Sequence, residues 1–275
     1  RKKIFLFILL ILLFLPSTIW AEDKDTIIVL VDELPFDIIE ELSFEKYSMG
    51  LVNYKTRPPY YKENLLLSLN TGRKLSLKEF YNKNARLEYL GDQLKDEKLS
   101  YIGNKTEKLL IANSKGEVDF EIDEIVYDVN WLISNTNDFL RKSNILLISY
   151  DFNEDASRIS LFKNYLESFN DKNIIILPEK VAEEDKILLN RFIVPILFIN
   201  GTDSGILTSQ STKREGFIAL EDFSVHVKSI YGISNKSNVG KALELITVDN
   251  PLEKIKEIYT SSINLLILAT IFHGL

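Results

Sequence analysis

Four short apolar runs constrain the fold of this chain more than any other feature of its sequence. They are rich in Ile, Leu and Val, and each stops at a polar residue or a proline. Runs of this kind are typical of strands that are buried on both faces of a sheet. We therefore predict four neighbouring strands in one sheet, at Thr26–Val31, Asn144–Tyr150, Asn173–Leu177 and Phe192–Ile199.

The segments between these runs carry the spacing of helices. Apolar residues recur at helical intervals over Asp155–Phe169, and a second helix is predicted over Asp222–Tyr231, before Gly232. Strands that alternate with helices predict an α/β fold, with a mostly parallel sheet covered by helices on both faces. Pro195 lies inside the fourth run, which indicates an edge strand or the start of a strand.

The remaining stretches are less regular. Met49–Tyr54 is predicted as another strand, and Glu63–Leu69 as a helix that stops before Gly72. Residues 73–143 mix short apolar pieces with scattered Lys, Asn and Glu, and there we predict helices and a hairpin around residues 114–117. No chemistry is assigned to that region.

Composition excludes several classes of function. Hydrophobic residues make up 45% and charged residues 27% of the 275 positions, which suits a folded globular chain. The absence of cysteine excludes disulfides, zinc knuckles, iron–sulfur clusters and thiol catalysis. With only His226 and His273, a metal site built from several imidazoles is impossible. The net charge of -7 and the lack of a basic patch argue against nucleic acid as a partner.

The N-terminal segment has the features of an export signal. Three cations open the chain, an apolar run over residues 4–15 follows, and Ala21 supplies a small residue before the acidic segment. The run is short for a spanning helix, which needs about 20 apolar residues. Residues 1–21 are therefore interpreted as a signal peptide or an N-terminal membrane anchor.

The C-terminal segment, residues 261–275, is a second apolar stretch. It is either the start of a membrane span or a helix docked on the core. Between the two segments we predict one exported domain, residues 22–260. Since cations precede the first apolar run, we expect this domain on the extracytoplasmic side, associated with the cell membrane through the termini.

Two carboxylates mark the expected site. Asp32 and Asp151 each follow directly after a predicted buried strand. In parallel α/β sheets, ligands bind beyond the carboxyl ends of the strands, so both side chains are predicted to face one crevice. The alternatives stay open: Asp32 can be a loop or helix-capping residue, and the cluster of Asp151 with Glu154 and Asp155 can cap the helix that follows it.

Three segments, in order, resemble the alkaline-phosphatase-like superfamily. The first is the strand of residues 27–31 with its terminal Asp32. The second covers residues 50–73 and is similar to the superfamily's nucleophile loop and the helix after it. The third covers residues 205–233, where a Leu-Thr-Ser stretch and a basic pair precede a helix. More narrowly, the chain resembles exported, membrane-tethered bacterial proteins of this fold.

The resemblance implies roles for individual residues. In active members, the Asp after the first strand binds a divalent metal and a hydroxyl in the next loop is the nucleophile, which places a metal ligand at Asp32 and the catalytic position at Tyr61. Asp151 is a candidate second metal ligand, and Asn64 and Arg73 are candidates for holding an anionic oxygen of a substrate. The alternatives are a loop tyrosine, a helix N-cap at Asn64 and a surface ion pair at Arg73.

The sequence also departs from the superfamily pattern. Tyr61 stands where relatives carry Thr, and the later Asp-His-Gly strand end is replaced by Pro178-Glu179-Lys180. We therefore predict an incomplete metal centre, with either no cofactor or one weakly held Mg²⁺ or Mn²⁺.

These departures favour a catalytically degenerate domain that acts as a binding module or a structural module at the cell envelope. Its expected partners are the membrane and an envelope protein or anionic ligand. The alternative is a metal-dependent hydrolase or transferase of phosphate or sulfate esters that uses one carboxylate-bound metal. A subunit of a membrane assembly is a third class, if the tail leads into further spans.

Overall fold

The computed structural model describes residues 25–80, 87–104, 106–153, 155–186, 190–199, 203–234 and 239–274, so the predicted signal or anchor lies outside the described residues. The strands are β1 (Thr26–Val31), β2 (Tyr47–Asn53), β3 (Leu99–Ile102), β4 (Phe120–Ile122), β5 (Ile145–Tyr150), β6 (Asn173–Pro178), β7 (Ile193–Ile199), β8 (Gly205–Ser209), β9 (Phe217–Ile218) and β10 (Leu243–Thr247). The helices are α1 (Phe36–Leu42), α2 (Lys62–Thr71), α3 (Leu77–Phe80), α4 (Leu90–Gln93), α5 (Val129–Leu140), α6 (Ala156–Glu167), α7 (Glu183–Lys186), α8 (Asp222–Ile230) and α9 (Pro251–Gly274), with a 3₁₀ turn at Glu107–Leu110.

The strands form one ten-stranded sheet in the order β10-β8-β2-β7-β6-β1-β5-β3-β4, with β9 paired to β2 beside this path. Only β7 and β10 run antiparallel to their neighbours among the described strands. The four predicted strands are β7, β6, β1 and β5, which are consecutive in the sheet. The predicted α/β class with a mostly parallel sheet is therefore confirmed.

The period-two pattern of β1 shows why this sheet needs helices on both faces. Ile27, Val29 and Val31 join one hydrophobic cluster, whereas Ile28 and Leu30 join another on the opposite face. The first cluster is covered by helices α1, α5, α6 and α9, and the second by α2, α4 and α8. Apolar side chains on both sides of each central strand are thus removed from water, which stabilises the fold by about 25 cal/mol per Å² of apolar surface.

Two local predictions need correction. Strand β7 lies inside the sheet, between β2 and β6, so the edge position predicted from Pro195 was wrong, whereas the alternative, a proline near the start of a strand, agrees with the structure. Pro195 is tolerated there because the β6 ladder pairs only with Leu197–Ile199, so the missing N–H falls near the start of β7, beyond the last β6 pair. The predicted hairpin around residues 114–117 is a turn with Gly116 at φ 79, but β3 and β4 pair in parallel.

The apolar tail is the second half of the long helix α9. Its first half docks on the core through Ile255, Tyr259 and Ile263, which are buried at helical spacing. Beyond Ile263 the apolar side chains are exposed, with Leu265 at 61% and Phe272 at 75%. The helix is long and apolar enough to cross a membrane over Pro251–Phe272, by length and composition. Within the described part of the predicted tail, residues 261–275, only Ser262 and Ile263 are buried against the domain, and the membrane span stays a prediction.

Candidate functional site

The carboxyl ends of β1, β5 and β6 meet at one edge of the sheet, which is called the carboxyl edge below. Because these strands are parallel neighbours in register, Asp32, Asp151 and Glu179 follow them at the same level. Two of these residues were predicted from the sequence. Glu179 was not, although the same position after a buried strand marks it.

Asp32 ties two strand ends together. Its Oδ1 accepts a hydrogen bond from the N–H of Phe152 at 2.9 Å, and its Oδ2 accepts one from the N–H of Asn153 at 3.1 Å. The carboxylate therefore lies against the segment that directly follows Asp151. Burial, and next the negative charge of Asp32, raise the pKa of Asp151.

Asp151 is not the cap of the following helix. Asp155 has that role, because its side chain accepts the N–H of Ser157 at the start of α6. The backbone of Asp151 is held instead, with its N–H donating to the Tyr127 hydroxyl and its carbonyl accepting from Arg158. The carboxylate of Asp151 is thus left half-buried beside Asp32, and the metal-ligand role of both residues stays a prediction.

A lysine occupies the next part of the carboxyl edge. Lys62, the first residue of α2, forms ion pairs with Glu107 and, at 2.6 Å, with Glu179. The Glu107 and Glu179 side chains are 6% and 14% exposed, so the ammonium is enclosed between two largely buried carboxylates. We call Lys62, Glu107 and Glu179 the lysine triad.

The lysine triad has unusual protonation properties. Burial opposes the charge on Lys62, but hydrogen bonds and charge from both glutamates raise the pKa of Lys62 overall. Burial raises the pKa of Glu179 to about 7, against the lowering effect of Lys62, and the charges of Glu107 and Asp151 add to the increase. The triad therefore keeps its cation at neutral pH, while Glu179 titrates there.

A buried hydroxyl lies beside the triad. Tyr54 is 6% exposed, and its hydroxyl has no hydrogen-bond partner among the described residues. Burial, and next the charge of Glu179, raise the pKa of Tyr54, so the phenol stays protonated. An unpaired buried hydroxyl is costly and is usually satisfied by a ligand or by water.

Tyr54 lines a cavity of about 290 Å³ at the carboxyl edge. The cavity is bounded by aromatic, cationic and apolar side chains, one threonine and one acid: Tyr54, Thr56, Tyr60, Tyr61, Lys62, Leu65, Glu179, Lys180, Val181, Lys186, Arg191 and Phe192. Tyr61 is the one predicted site residue in this lining. It is the N-cap residue of α2 and 53% exposed.

The other two predicted substrate-binding residues lie elsewhere. Asn64 is buried, and its amide donates to the carbonyls of Arg57 and Pro59, so it holds the loop before α2. The alternative that Asn64 caps α2 was wrong, since the N-cap residue is Tyr61. Arg73 is exposed beyond Gly72, outside the cavity lining.

The lysine triad does not fit a divalent metal, because both of its glutamates already hold Lys62. Each oxygen of Asp32 accepts one backbone N–H group, and the carboxylate of Asp151 is close enough for the charge of Asp32 to raise its pKa. In the described parts of the chain, no three His, Asp or Glu side chains form a group that could hold a metal ion. His226 is half-buried in α8 against the ring of Phe198, near the opposite edge of the sheet, and burial lowers its pKa to about 4.

Comparison with known proteins gives structural matches only. No protein-family model and no curated protein matches the sequence. Two structures of murine ectonucleotide pyrophosphatase/phosphodiesterase 5 are similar at 8% identity. The inactive variant in complex with AMP has a TM-score of 0.44, with 79% of this chain and 97% of that chain covered. The other has a TM-score of 0.45 and covers 79% and 98%.

Proposed function

We propose that this chain is a membrane-attached, alkaline-phosphatase-like domain that binds an anionic ligand at the carboxyl edge and does not catalyse phosphoryl transfer. The observation that carries this proposal is the lysine triad. Where the superfamily resemblance implies a metal held by carboxylates, the chain supplies its own cation, Lys62, between Glu107 and Glu179.

An internal ammonium excludes a metal by competition. A Mg²⁺ ion needs about six oxygen ligands at roughly 2.0–2.1 Å, so it would have to displace Lys62 from both glutamates. The displaced ammonium would then lie close to the metal, and the repulsion between the two positive charges decreases only as the inverse of their distance. The raised pKa of Lys62 means that deprotonation gives no easy way around this repulsion.

The predicted nucleophile lacks an activating group. A hydroxyl attacks an ester only with a base or a metal beside it. Tyr61 lies at the open rim of the cavity, and the cation next to it in sequence is engaged in the triad. The position therefore suits a contact to a ligand better than covalent catalysis.

The cavity suits an anion. It combines the N-terminus of α2 with the cations Lys180, Lys186 and Arg191. Lys180 and Lys186 are paired with Glu33 and Glu183, whereas Arg191 has no carboxylate partner among the described residues. Helix N-termini bind phosphate and sulfate through free backbone N–H groups, and the unpaired Tyr54 hydroxyl adds a donor.

Attachment to the membrane is the second part of the proposal. The exposed apolar half of α9 gives the domain a C-terminal anchor. Location on the extracytoplasmic side rests on the cationic N-terminal segment.

A binding and turnover experiment tests the site. We expect sulfate and phosphate to bind the full chain by calorimetry, and Arg191→Gln to weaken this binding. Hydrolysis of p-nitrophenyl phosphate with Mg²⁺, Mn²⁺ or Zn²⁺ should not exceed the protein-free rate. Metal-dependent hydrolysis that is lost in Asp32→Ala would establish the alternative, a hydrolase with one carboxylate-bound metal, for which the adjacent Asp32 and Asp151 are the supporting observation.

A further inference from the structure

Helix α9 runs along the sheet towards the carboxyl edge. Its first turn lies near Tyr47, at the amino end of β2. Further on, Ile255 and Ile258 pack against Gly216, whose carbonyl accepts the N–H of Leu51 in the middle of β2. The helix therefore ascends beside β2 in the same direction as the strand.

The helix leaves the domain at the level of the carboxyl edge. Tyr259 packs edge-on against Phe36, which follows β1, and its hydroxyl accepts a hydrogen bond from Asn190, just before β7. One turn later, Ser262 accepts a hydrogen bond from Arg214, in the loop after β8. We call residues 259–262 the exit of α9.

Beyond Ile263, the residue that follows the exit and is still buried, α9 is exposed on nearly all sides. Asn264, Leu265, Leu266, Leu268 and the whole of residues 269–272 are exposed, and Ile267 alone in this stretch is partly covered. A helix that docks in a protein groove has one apolar face, whereas a helix that is apolar all round is typical of a lipid environment. At about 1.5 Å per residue, residues 264–272 reach roughly 14 Å, or about half of a bilayer's hydrocarbon core.

Cations and aromatic rings surround the exit. Asn190 connects Tyr259 to the segment Arg191-Phe192, since its side chain also accepts the N–H of Phe192. Phe192 lies against the ring of Tyr60 at 5.1 Å and under the ammonium of Lys55 at 5.9 Å. Tyrosine and cationic side chains are the groups that proteins place at a membrane interface.

These cations are available to an external anion. Lys55, Arg191 and Arg214 are exposed, and no carboxylate pairs with any of them in the described parts of the chain. Several acids accompany them on this side of the edge. Glu33, Glu179 and Glu183 are paired with Lys180, Lys62 and Lys186. Asp185 lies beside Tyr259, close to Glu33 and Asp37, and Glu215 lies beside Arg214. The other half of the carboxyl edge, from the end of β1 to β4, carries Asp32, Asp123, Glu124, Asp128, Asp151 and Asp155, with Arg158 bonded to the backbone of Asp151.

We propose that the carboxyl edge on the α9 side is the membrane-facing surface of the domain, with Lys55, Arg191 and Arg214 in the headgroup layer of an anionic bilayer. This inference rests on the proposed attachment through α9 and adds its orientation. The negative charge of the whole chain does not oppose it, because three acids on the α9 side are paired with lysines, while Lys55, Arg191 and Arg214 have no carboxylate partner among the described residues. The cavity beside Tyr54 and Arg191 then opens towards anionic headgroups, which makes lipid phosphate its ligand.

The orientation can be measured because the chain contains no cysteine. Tyr60→Cys places one thiol beside the exit, and Lys115→Cys places one in the exposed turn before β4, at the other edge. Each variant of the full chain is labelled with an environment-sensitive fluorophore and bound to vesicles that carry a headgroup nitroxide. We expect strong quenching at position 60 and little at position 115. Equal quenching, or stronger quenching at position 115, would overturn the proposal.

The lipid preference is tested with charge-matched variants. Lys55→Gln with Arg191→Gln removes two cations near the exit, and Lys95→Gln with Lys115→Gln removes two exposed cations at the other edge. On vesicles with 30% phosphatidylglycerol, we expect the first double substitution to weaken binding about 30-fold, because each cation contributes about 1 kcal/mol at an anionic surface. The second double substitution should have little effect. Equal losses for both pairs would mean attraction by total charge and would overturn the proposal.

The two proposals fail in different ways. If the wild-type chain binds neutral and anionic vesicles equally and the label at position 60 stays in water, attachment through α9 survives but the orientation is wrong. If the chain binds no vesicle of either kind, the proposed attachment itself is wrong. If the variant with Lys55→Gln and Arg191→Gln loses the preference for anionic vesicles but still binds sulfate as the wild type does, the headgroup surface and the anion cavity are separate sites. Lipid phosphate would then no longer be the ligand of the cavity.

Discussion

Two neighbouring groups of carboxylates at the carboxyl edge are stabilised in different ways. Asp32 and Asp151 lie side by side, with Asp32 held by backbone N–H groups and Asp151 left half-buried. Glu107 and Glu179 are more deeply buried and share the ammonium of Lys62. In the first pair the carboxylate of Asp32 is held by backbone groups, whereas the second pair shares one cation supplied by the chain. The comparison shows that a carboxylate at the end of a strand can have different roles at the same position. Whether a cation lies beside it decides which role it has.

The largest effect is expected from removing the cation of the lysine triad. Lys62→Met leaves Glu107 and Glu179 buried without a cation, and among the described residues Glu107 keeps only the hydroxyl of Tyr101 as a hydrogen-bond donor. The loss should cost about 3 kcal/mol of unfolding free energy, measured in urea. Adding Glu107→Gln and Glu179→Gln to this variant should recover most of the loss. If Lys62→Met unfolds at the wild-type urea concentration, the triad does not stabilise the edge. Should Mn²⁺ then stabilise Lys62→Met but not the wild type, the ammonium takes the place of a metal.

A smaller loss is expected at the first pair. In Asp32→Asn the amide offers only one acceptor oxygen to the N–H groups of Phe152 and Asn153, so the variant should lose about 1–3 kcal/mol of unfolding free energy. Removal of the negative charge should also lower the pKa of Asp151 towards its ordinary value, which carboxyl carbon NMR can follow. A pKa of Asp151 that does not move would show that burial alone raises it.

Asp151 and Asp155 offer a matched test within one loop. Asp155→Ala removes the side-chain cap of α6 and should lower the melting temperature, because the N–H of Ser157 loses its acceptor. Asp151→Ala removes a charge that Asp32 repels and should leave the melting temperature unchanged or raise it. If differential scanning fluorimetry instead gives the lower melting temperature for Asp151→Ala, then Asp151 is the cap of α6 and its carboxylate does not face the crevice.

The smallest effect concerns pH. Since Glu179 has a pKa raised to about 7, it is largely protonated at pH 6 and ionised at pH 8. Protonation removes a negative charge from the cavity while Lys62 remains cationic, so sulfate should bind about threefold more tightly at pH 6 than at pH 8, an effect of well under 1 kcal/mol. Sulfate does not change charge in this range. Glu179→Gln should bind tightly at both values, and a wild-type affinity that rises with pH would contradict this role.

The parts of the fold that were predictable depend on local patterns. Strand β1 could be recognised because the apolar run of residues 27–31 needs burial on both faces. Asp32 and Asp151 followed from it, since parallel strands in register end at the same level. The sheet position of β7 could not be predicted, because a proline near a strand start is compatible with an interior strand when the partner ladder is short.

The lysine triad was beyond such reasoning. Lys62, Glu107 and Glu179 come from three elements that are far apart in sequence, and Glu107 lies in a segment without any periodic pattern. Burial decides their roles, and burial of a charged side chain leaves no local signal in the sequence. Glu179 alone was recoverable, as the residue after β6. The role of Asn64 could not be predicted from its residue type. It is determined by the hydrogen bonds that its amide donates to the carbonyls of Arg57 and Pro59 in the preceding loop.

The place of β1 in the sheet has a consequence for how the domain is made. This central strand precedes both of its partners, β5 and β6, which follow only after β2, β3 and β4. During synthesis from the N-terminus, the apolar residues 27–31 therefore stay without their strand partners until β6 has been made, and such non-local pairing is slow. A chaperone that shields β1 during this interval would raise the yield of folded protein.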